Sequence, residues 1–386
     1  MTPFEAATHA APYPYYLHLR EKTDLFFDPD LGLWVACGAA AVEAILQQPD
    51  CRVRPEHEPV PRAIAQGPAG DVFARLMRMN EGARQQCPRA AIEPALMAVP
   101  VQNVETLVCS LVGRADLGAE SLNGLMFSLP VSVLAAMMGF QAAQLPSVAS
   151  LTRDFVACLS PLSNACQLRS ADDAATRLSQ MLNALLNGQQ PKSDFLADIC
   201  RACTASNWQD QDALIANLIG VLSQTCEAGA GLIGNTLVAL QQQPGLLEEV
   251  TRTPTQINEL VAEVARFDSP VQNTRRFVTR QCTIGDSVLH AGDTVLLLLA
   301  SANRDPHSNP DPDRFLLRRT HRTIYSFGHA RHQCPGQQLA LTIAAQSILA
   351  LLQQPATSLI PQLRWSYLPS LNGRIPVWSN PLEPEQ

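Results

Sequence analysis

An excess of basic residues is missing from this chain of 386 residues: 28 Lys and Arg stand against 35 Asp and Glu, for a net charge of -7. No basic stripe is left to follow a nucleic acid backbone, and a mildly acidic soluble enzyme fits the balance better. A basic stretch followed by an apolar one is missing from the N-terminal MTPFEAATHAAPYPYYLHLREKTD, which therefore does not resemble a secretory signal. No window of about 18 apolar residues free of charge stands out, so no membrane span is expected. Internal repeats and low-complexity linkers are absent as well. Eleven cysteines, an odd number at irregular spacing, do not read as a disulfide framework; they suit reduced thiols in a cytoplasm. Cys200 and Cys203 form a CxxC, but no second pair and no nearby HxxxH supplies further ligands, so no zinc site is expected there.

What is present is mostly helical. A chain of this length can bury a large core, and one α-rich domain over 1–386 with a small β portion is the simplest reading. DLFFDPDLGLWVACG (24–38) reads as a hairpin and AAAVEAILQQPD (39–50) as the helix after it. RPEHEPVPRAIAQGPAG (54–70) is a Pro-rich loop, long enough that it should border a site. Helices are expected to fill 71–250, with interruptions near Pro130, Pro146, Pro161 and 187–194. SVLHAGDTVLLLLAS (287–301) reads as strand, turn and strand, 303–315 as a meander rich in Pro and Asp, and 365–379 as a last hairpin turning at Asn372 and Gly373.

Three stretches carry chemistry. QDALIANLIGVLSQTCEAGAGLIGNTLVALQQQ (211–243) would make a central buried helix, roughly 50 Å long at 1.5 Å per residue. At its middle sit Gln224, Thr225, Cys226 and Glu227, followed by Gly229 and Gly231, where polar groups and glycines are costly. They fit either a capped kink or a local opening of the helix over a cofactor, with Glu227 handling protons. In TPTQINELVAEVARFDSPVQ (253–272) a helix starting at Pro254 puts Glu263 and Arg266 three apart on one face, a spacing that usually means a surface ion pair. FGHARHQCPGQQLA (327–340) places Cys334 just ahead of a helix that begins at Pro335. Buried free cysteines are common, but the N–H groups and positive end of a helix favour a thiolate, able to bind a soft metal or act as a nucleophile.

In their order and spacing these motifs resemble those of the bacterial cytochromes P450, the haem-thiolate monooxygenases, from PYYLHLRE (14–21) to NGRIPVW (372–378). The family's cysteine signature is matched by Phe327, His332, Cys334 and Gly336, and its ExxR motif by Glu263 and Arg266, with Arg314 of DPDRF in the place of the arginine that completes that triad. The resemblance implies a mainly α cytochrome P450 fold with a small β portion, holding haem b (iron protoporphyrin IX) between the long central helix and the C-terminal Cys-loop helix. It implies that the metal ligand is Cys334, whose thiolate pushes electron density toward the trans position. His332 and Arg276 match the partners of the haem propionates, and Gln85 and Arg89 occupy the places of a helper pair on the third helix. Glu227 falls at the acid of the oxygen-side helix, but the threonine expected beside it is Ala228, so Thr225, ordered water or a substrate group would have to help deliver protons. Ala330 replaces a glycine of the signature, and Pro335 brings no N–H to a position where one commonly points at the sulfur.

The function implied is that of a soluble, cytoplasmic bacterial monooxygenase. It would oxidise a small or medium organic molecule with O2 and two electrons from a ferredoxin and its reductase, in secondary metabolism, without nucleic acid or membrane as partner. The loop 54–75, residues 271–273 and the region 150–190 would shape the substrate site, while Arg84, Arg89 and Arg331 would face either an acidic electron donor or plain solvent. With Ala228 in place of threonine, the alternatives are peroxide use, a rearrangement without net oxygen insertion, or a haem and ligand binding module, including one that docks a carrier protein.

Overall fold

The computed structural model describes residues 1–113, 118–354 and 362–380. Its axis is the helix Gln211–Gln242, 32 residues without a break, opened by Asp210 whose carboxylate accepts the Ala213 N–H. Apolar side chains lie all round this central helix, so neighbours cover it on most sides: Ala119–Met138, Leu145–Val156, Ile257–Phe267 and Gln337–Leu352. Its mid-helix glycines are points of close approach. A Cβ at Gly229 would stand 3.0 Å from the Pro130 ring, and one at Gly231 would stand 2.9 Å from Pro270. The sequence offers a capped kink or a local opening there, and the helix runs through this stretch as one uninterrupted element whose glycines admit neighbours.

Pro130, expected to interrupt a helix, sits inside the continuous helix Ala119–Met138, with its ring against Gly229. Pro146 falls in the first turn of Leu145–Val156, where a missing N–H is harmless. Residues 121–138 carry no charge, contrary to the sequence expectation, and Ala119–Met138 is long and apolar enough to cross a membrane. Here it is core, with 67% of its apolar window buried inside the fold.

One five-stranded sheet runs in the order Leu25–Asp28, Leu33–Ala36, Thr294–Leu297, Thr274–Val278 and Cys51–Arg52. Only Leu33–Ala36 with Thr294–Leu297 is a parallel pairing. Cys282–Ile284 pairs with Ser287–Leu289, and Arg364–Tyr367 with Pro376–Ser379, the last hairpin in the expected place. The second strand of 287–301 ends early: after Leu298 the chain turns into the short helix Leu299–Asn303. Buried polar side chains explain the turn, since Ser301 donates to the Cys37 carbonyl and Asn303 accepts the Tyr325 N–H at 2.6 Å.

Glu263 and Arg266 are fully buried, not a surface pair. Arg266 clasps Glu263 with two N–H groups, at 2.6 and 3.1 Å, and reaches the carbonyls of Asn303 and Pro312 at 3.1 and 2.8 Å. The third member is not the Arg314 side chain, which is exposed and faces Asp311; Arg314 offers only its carbonyl, to Arg266 at 3.2 Å. Arg319 and Arg322 take the expected role, at 3.3 and 3.0 Å from the Glu263 carboxylate. Burial alone would raise the Glu263 pKa, but the Arg266 hydrogen bonds and charge, the Leu316 N–H and Arg322 hold it below the usual value. This knot pins the meander to the helix Ile257–Phe267 and so fixes the start of the Cys loop.

Candidate active site

The Cys loop is built from two short turns, Tyr325–Phe327 and Ala330–His332. Between them Gly328 has φ +72°, and a Cβ there would come 3.1 Å from the His332 carbonyl, so glycine is required. Ala330 also adopts a left-handed φ of +55°, a strain of about 1–2 kcal/mol that the family's glycine would not carry. The loop closes where the Cys334 N–H donates to the Phe327 carbonyl at 2.7 Å. The helix that follows starts at Gln337, two residues later than expected, with Gly336 at its cap. Burial pushes the Cys334 thiol up, while the Gly336 N–H and the Arg89 charge pull the other way. Pro335 therefore does not leave the sulfur without a backbone donor.

Gln85 and Arg89 brace this loop from behind. Gln85 donates to the Arg331 carbonyl at 2.8 Å; Arg89 donates to the Gln333 carbonyl at 2.7 Å and holds Glu93 with two N–H groups. Both are spent on protein groups. Arg331 is a latch as well, bonded to the carbonyls of Gln47, Gln48 and Cys51 and to Glu81 at 3.1 Å, whereas Arg84 is exposed. Arg276 is different. It is buried on Thr274–Val278, and its Nε finds no partner among the described residues. Burial, with the Arg331 charge added, pushes its pKa down to about 10. His332 lies 3.1 Å from Glu81, an acid the sequence reading missed, but its Nε2 completes no hydrogen bond there.

On the central helix, residues 224, 225, 227, 228 and 229 keep open area at the middle of an otherwise buried stretch. Glu227 is the most exposed of them. Burial raises its pKa, and the charges of Arg153 and then Arg78 moderate the shift. The Thr225 hydroxyl donates to the Val221 carbonyl at 2.9 Å, and Ala228 has no polar group. Of the residues expected to shape a substrate site, Gln272 and Asn273 are buried and bonded to Ser269 and Leu371 carbonyls; they hold backbone. Arg78 and Arg153 were not singled out from sequence, and Arg153 lies 4.7 Å over the Phe127 ring.

The model of the cytochrome P450 family matches residues 255–362, the stretch that carries the Glu263 knot, the meander and the Cys loop. The chain belongs to the cytochrome P450 family. This P450 is 26% identical over 360 residues to the cytochrome P450 monooxygenase PikC of Streptomyces venezuelae, covering 89% of this chain and 84% of that one. It is 28% identical over 249 residues to the putative cytochrome P450 133B2 of Xylella fastidiosa, a match that spans 64% of this chain and 61% of that protein's length. The crystal structure of P450BioI in complex with an acyl carrier protein ligated with hexadec-9Z-enoic acid shares its fold, with a TM-score of 0.79 at 22% identity over 95% of this chain and 97% of that one.

The family implies haem, and the residues present fit it. A single sulfur at the loop, a buried Arg276 whose Nε has no partner among the described residues while its Nη1 donates to the Arg275 carbonyl at 2.8 Å, a His332 ring beside Glu81, and open area on Phe327, Cys334 and Gly336 outline a slot for an anionic group ligated through sulfur. Cys334 would be the ligand, and Arg276 and His332 would meet the carboxylates. Cys200 and Cys203 are free thiols, and among the described residues no cluster of three or more His, Cys, Asp or Glu could hold a further metal.

Proposed function

We propose that this P450 is a haem-thiolate monooxygenase of the bacterial cytoplasm that uses haem b, O2 and two electrons from a ferredoxin system to hydroxylate a small or medium organic molecule of secondary metabolism. The net change is one C–H bond converted to C–OH, the second oxygen leaving as water with two protons taken up. The observation that carries the reading is Cys334, held at the end of a loop that closes where its N–H meets the Phe327 carbonyl at 2.7 Å. Haem, when bound, supplies the O2 binding and electron transfer that no side chain here can perform. The chain supplies the rest. Cys334 donates sulfur charge, Arg276 and His332 neutralise carboxylates, and the hydrophobic walls of the central helix and Leu145–Val156 exclude bulk water. Glu227 holds a proton at its carboxyl, as a raised pKa favours. Thr225 can only accept a further hydrogen bond, because its own proton is committed to Val221.

That commitment, together with Ala228, favours a second reading in which peroxide replaces O2 and electrons, or a substrate is rearranged without net oxygen insertion. The carrier protein in the P450BioI structure adds the possibility that the substrate arrives as a carrier-bound acyl group. Turnover with NADPH and a surrogate ferredoxin system against turnover with hydrogen peroxide separates the readings; product with peroxide alone would remove the monooxygenase. The haem-thiolate assignment has its own test. The reduced protein under carbon monoxide should show the long-wavelength absorption of sulfur-ligated haem, and Cys334→Ser should lose it. An unchanged spectrum in that variant would end the proposal.

A further inference from the structure

A carboxylate of the chain stands among the cations that the haem carboxylates would meet. Glu81 lies just ahead of the helix Ala83–Met97, and Gly82 between them takes φ +59°, a left-handed turn that glycine enters freely. The Glu81 Oε2 accepts from the Arg331 Nε at 3.1 Å and lies 3.1 Å from the His332 Nε2. Its Oε1 is buried and meets no donor among the described residues. The Glu81 and His332 side chains are only 27% and 7% exposed, so water and salt screen this pair weakly. Burial alone would raise the Glu81 pKa, but the contacts and charges of His332 and Arg331 hold it below the usual value, and the group is ionised at ordinary pH.

Few cations are left beside it. Gln85 and Arg89, on the helix that Glu81 precedes, are committed to the Arg331 and Gln333 carbonyls and to Glu93. Arg331 gives its other N–H groups to the carbonyls of Gln47, Gln48 and Cys51. Of the residues matched to the haem carboxylates, Arg276 and His332 remain, and the chain's own carboxylate already lies on His332. The Glu81 charge also acts on Arg276, against the pull of burial and of the Arg331 charge. A fixed negative charge in a weakly screened site competes with other anions for the same cations, and it favours the more positive, oxidised state of a metal nearby.

We propose that Glu81 sets the potential of the haem iron: its charge, fixed between Arg331 and His332, takes a share of the cations that serve the haem carboxylates and holds the iron toward its ferric state. The inference rests on the haem-thiolate assignment, and it is measured without turnover. Spectroelectrochemistry on the haem-loaded wild type, Glu81→Gln and Glu81→Asp reads the potential, and capture of haem by excess apomyoglobin reads its hold. Glu81→Gln keeps an oxygen that can accept from Arg331 and removes only the charge. At a given applied potential it should move the ratio of ferrous to ferric protein about three- to tenfold toward ferrous, a rise of about 30–60 mV at about 59 mV per tenfold for one electron. It should also release haem more slowly than the wild type. Glu81→Asp keeps the charge and should lie nearer the wild-type potential than Glu81→Gln does. Glu105→Gln, which removes an exposed carboxylate from the helix Val101–Val112, should leave the potential where it is. A Glu81 that merely held the loop would give Glu81→Gln an unchanged potential and a faster loss of haem, and either result would overturn the assignment. So would an Asp variant shifted as far as the Gln variant, or a Glu105→Gln shift of the same size. The carbon monoxide spectrum separates the two failures: sulfur-ligated variants with unmoved potentials sink this inference alone, whereas a wild type without that spectrum sinks the haem-thiolate assignment.

Discussion

Two helix carboxylates of this protein, Glu263 and Glu227, are partnered on opposite terms. Around Glu263, three guanidinium groups and a backbone N–H converge on one carboxylate, and Arg266 spends its remaining N–H on carbonyls. Around Glu227, the charges of Arg153 and Arg78 act on one carboxylate that keeps open area, and among the described residues no hydrogen bond ties them together. The first group is filled by the fold itself. The second is left short, where a molecule that comes and goes can complete it. A charge with every partner present is architecture; one with partners missing marks where chemistry happens.

The largest effect should come from breaking the filled group. Glu263→Gln removes the countercharge of three arginines, a change worth about 3–5 kcal/mol against a typical total of about 5–15 kcal/mol, so denaturant unfolding should show most of the stability gone. The pH dependence sharpens the contrast. Glu263 is held below its ordinary 4.5, so its contribution is complete above that value and is lost as pH falls through the lowered one. Glu227 is raised above 4.5, so its contribution is complete below that value and is lost as pH rises through the raised one. Melting curves should therefore show the Glu263→Gln deficit deepening as pH rises toward about 4.5 and level above it, while Glu227→Gln gains on the wild type only as pH rises above about 4.5. Slopes of equal sign would erase the distinction between the two groups. In turnover the order reverses, and Glu227→Gln should cost about a hundredfold in rate, the scale of losing one proton-transfer group.

How much of this was legible in the sequence follows the same divide. Cys334, Glu263 and Arg266 are found by local spacing, because a loop and a single helix turn set their geometry. The partners of Glu263 are not local. Arg314 is in the expected stretch, but the path of the meander turns its side chain outward and brings Arg319 and Arg322 in, which no spacing rule contains. Pro130 misled the helix reading for a related reason: a proline that breaks an isolated helix is tolerated where a glycine of another helix, Gly229, receives its ring. Arg78 and Arg153 gave no signal, since the action of their charges on Glu227 depends on a loop and a helix folding over the central helix.

Smaller effects probe the two sides of the site separately. Ala228→Thr puts a hydroxyl beside Glu227, and the fraction of electrons that end in product should rise, by less than about tenfold, if proton delivery limits coupling. An unchanged fraction would mean that a bound substrate or Glu227 already meets that need. On the sulfur side, Pro335→Leu can offer the sulfur a second N–H beside that of Gly336. An added donor draws charge from the thiolate and should raise the iron potential, by up to about 60 mV if one net hydrogen bond forms. Potentiometry on both proteins, with the carbon monoxide spectrum as a check on ligation, reads this directly. Equal potentials would mean that Gly336 alone sets the charge on the sulfur, and that Pro335 serves to start the following helix rather than to tune the metal.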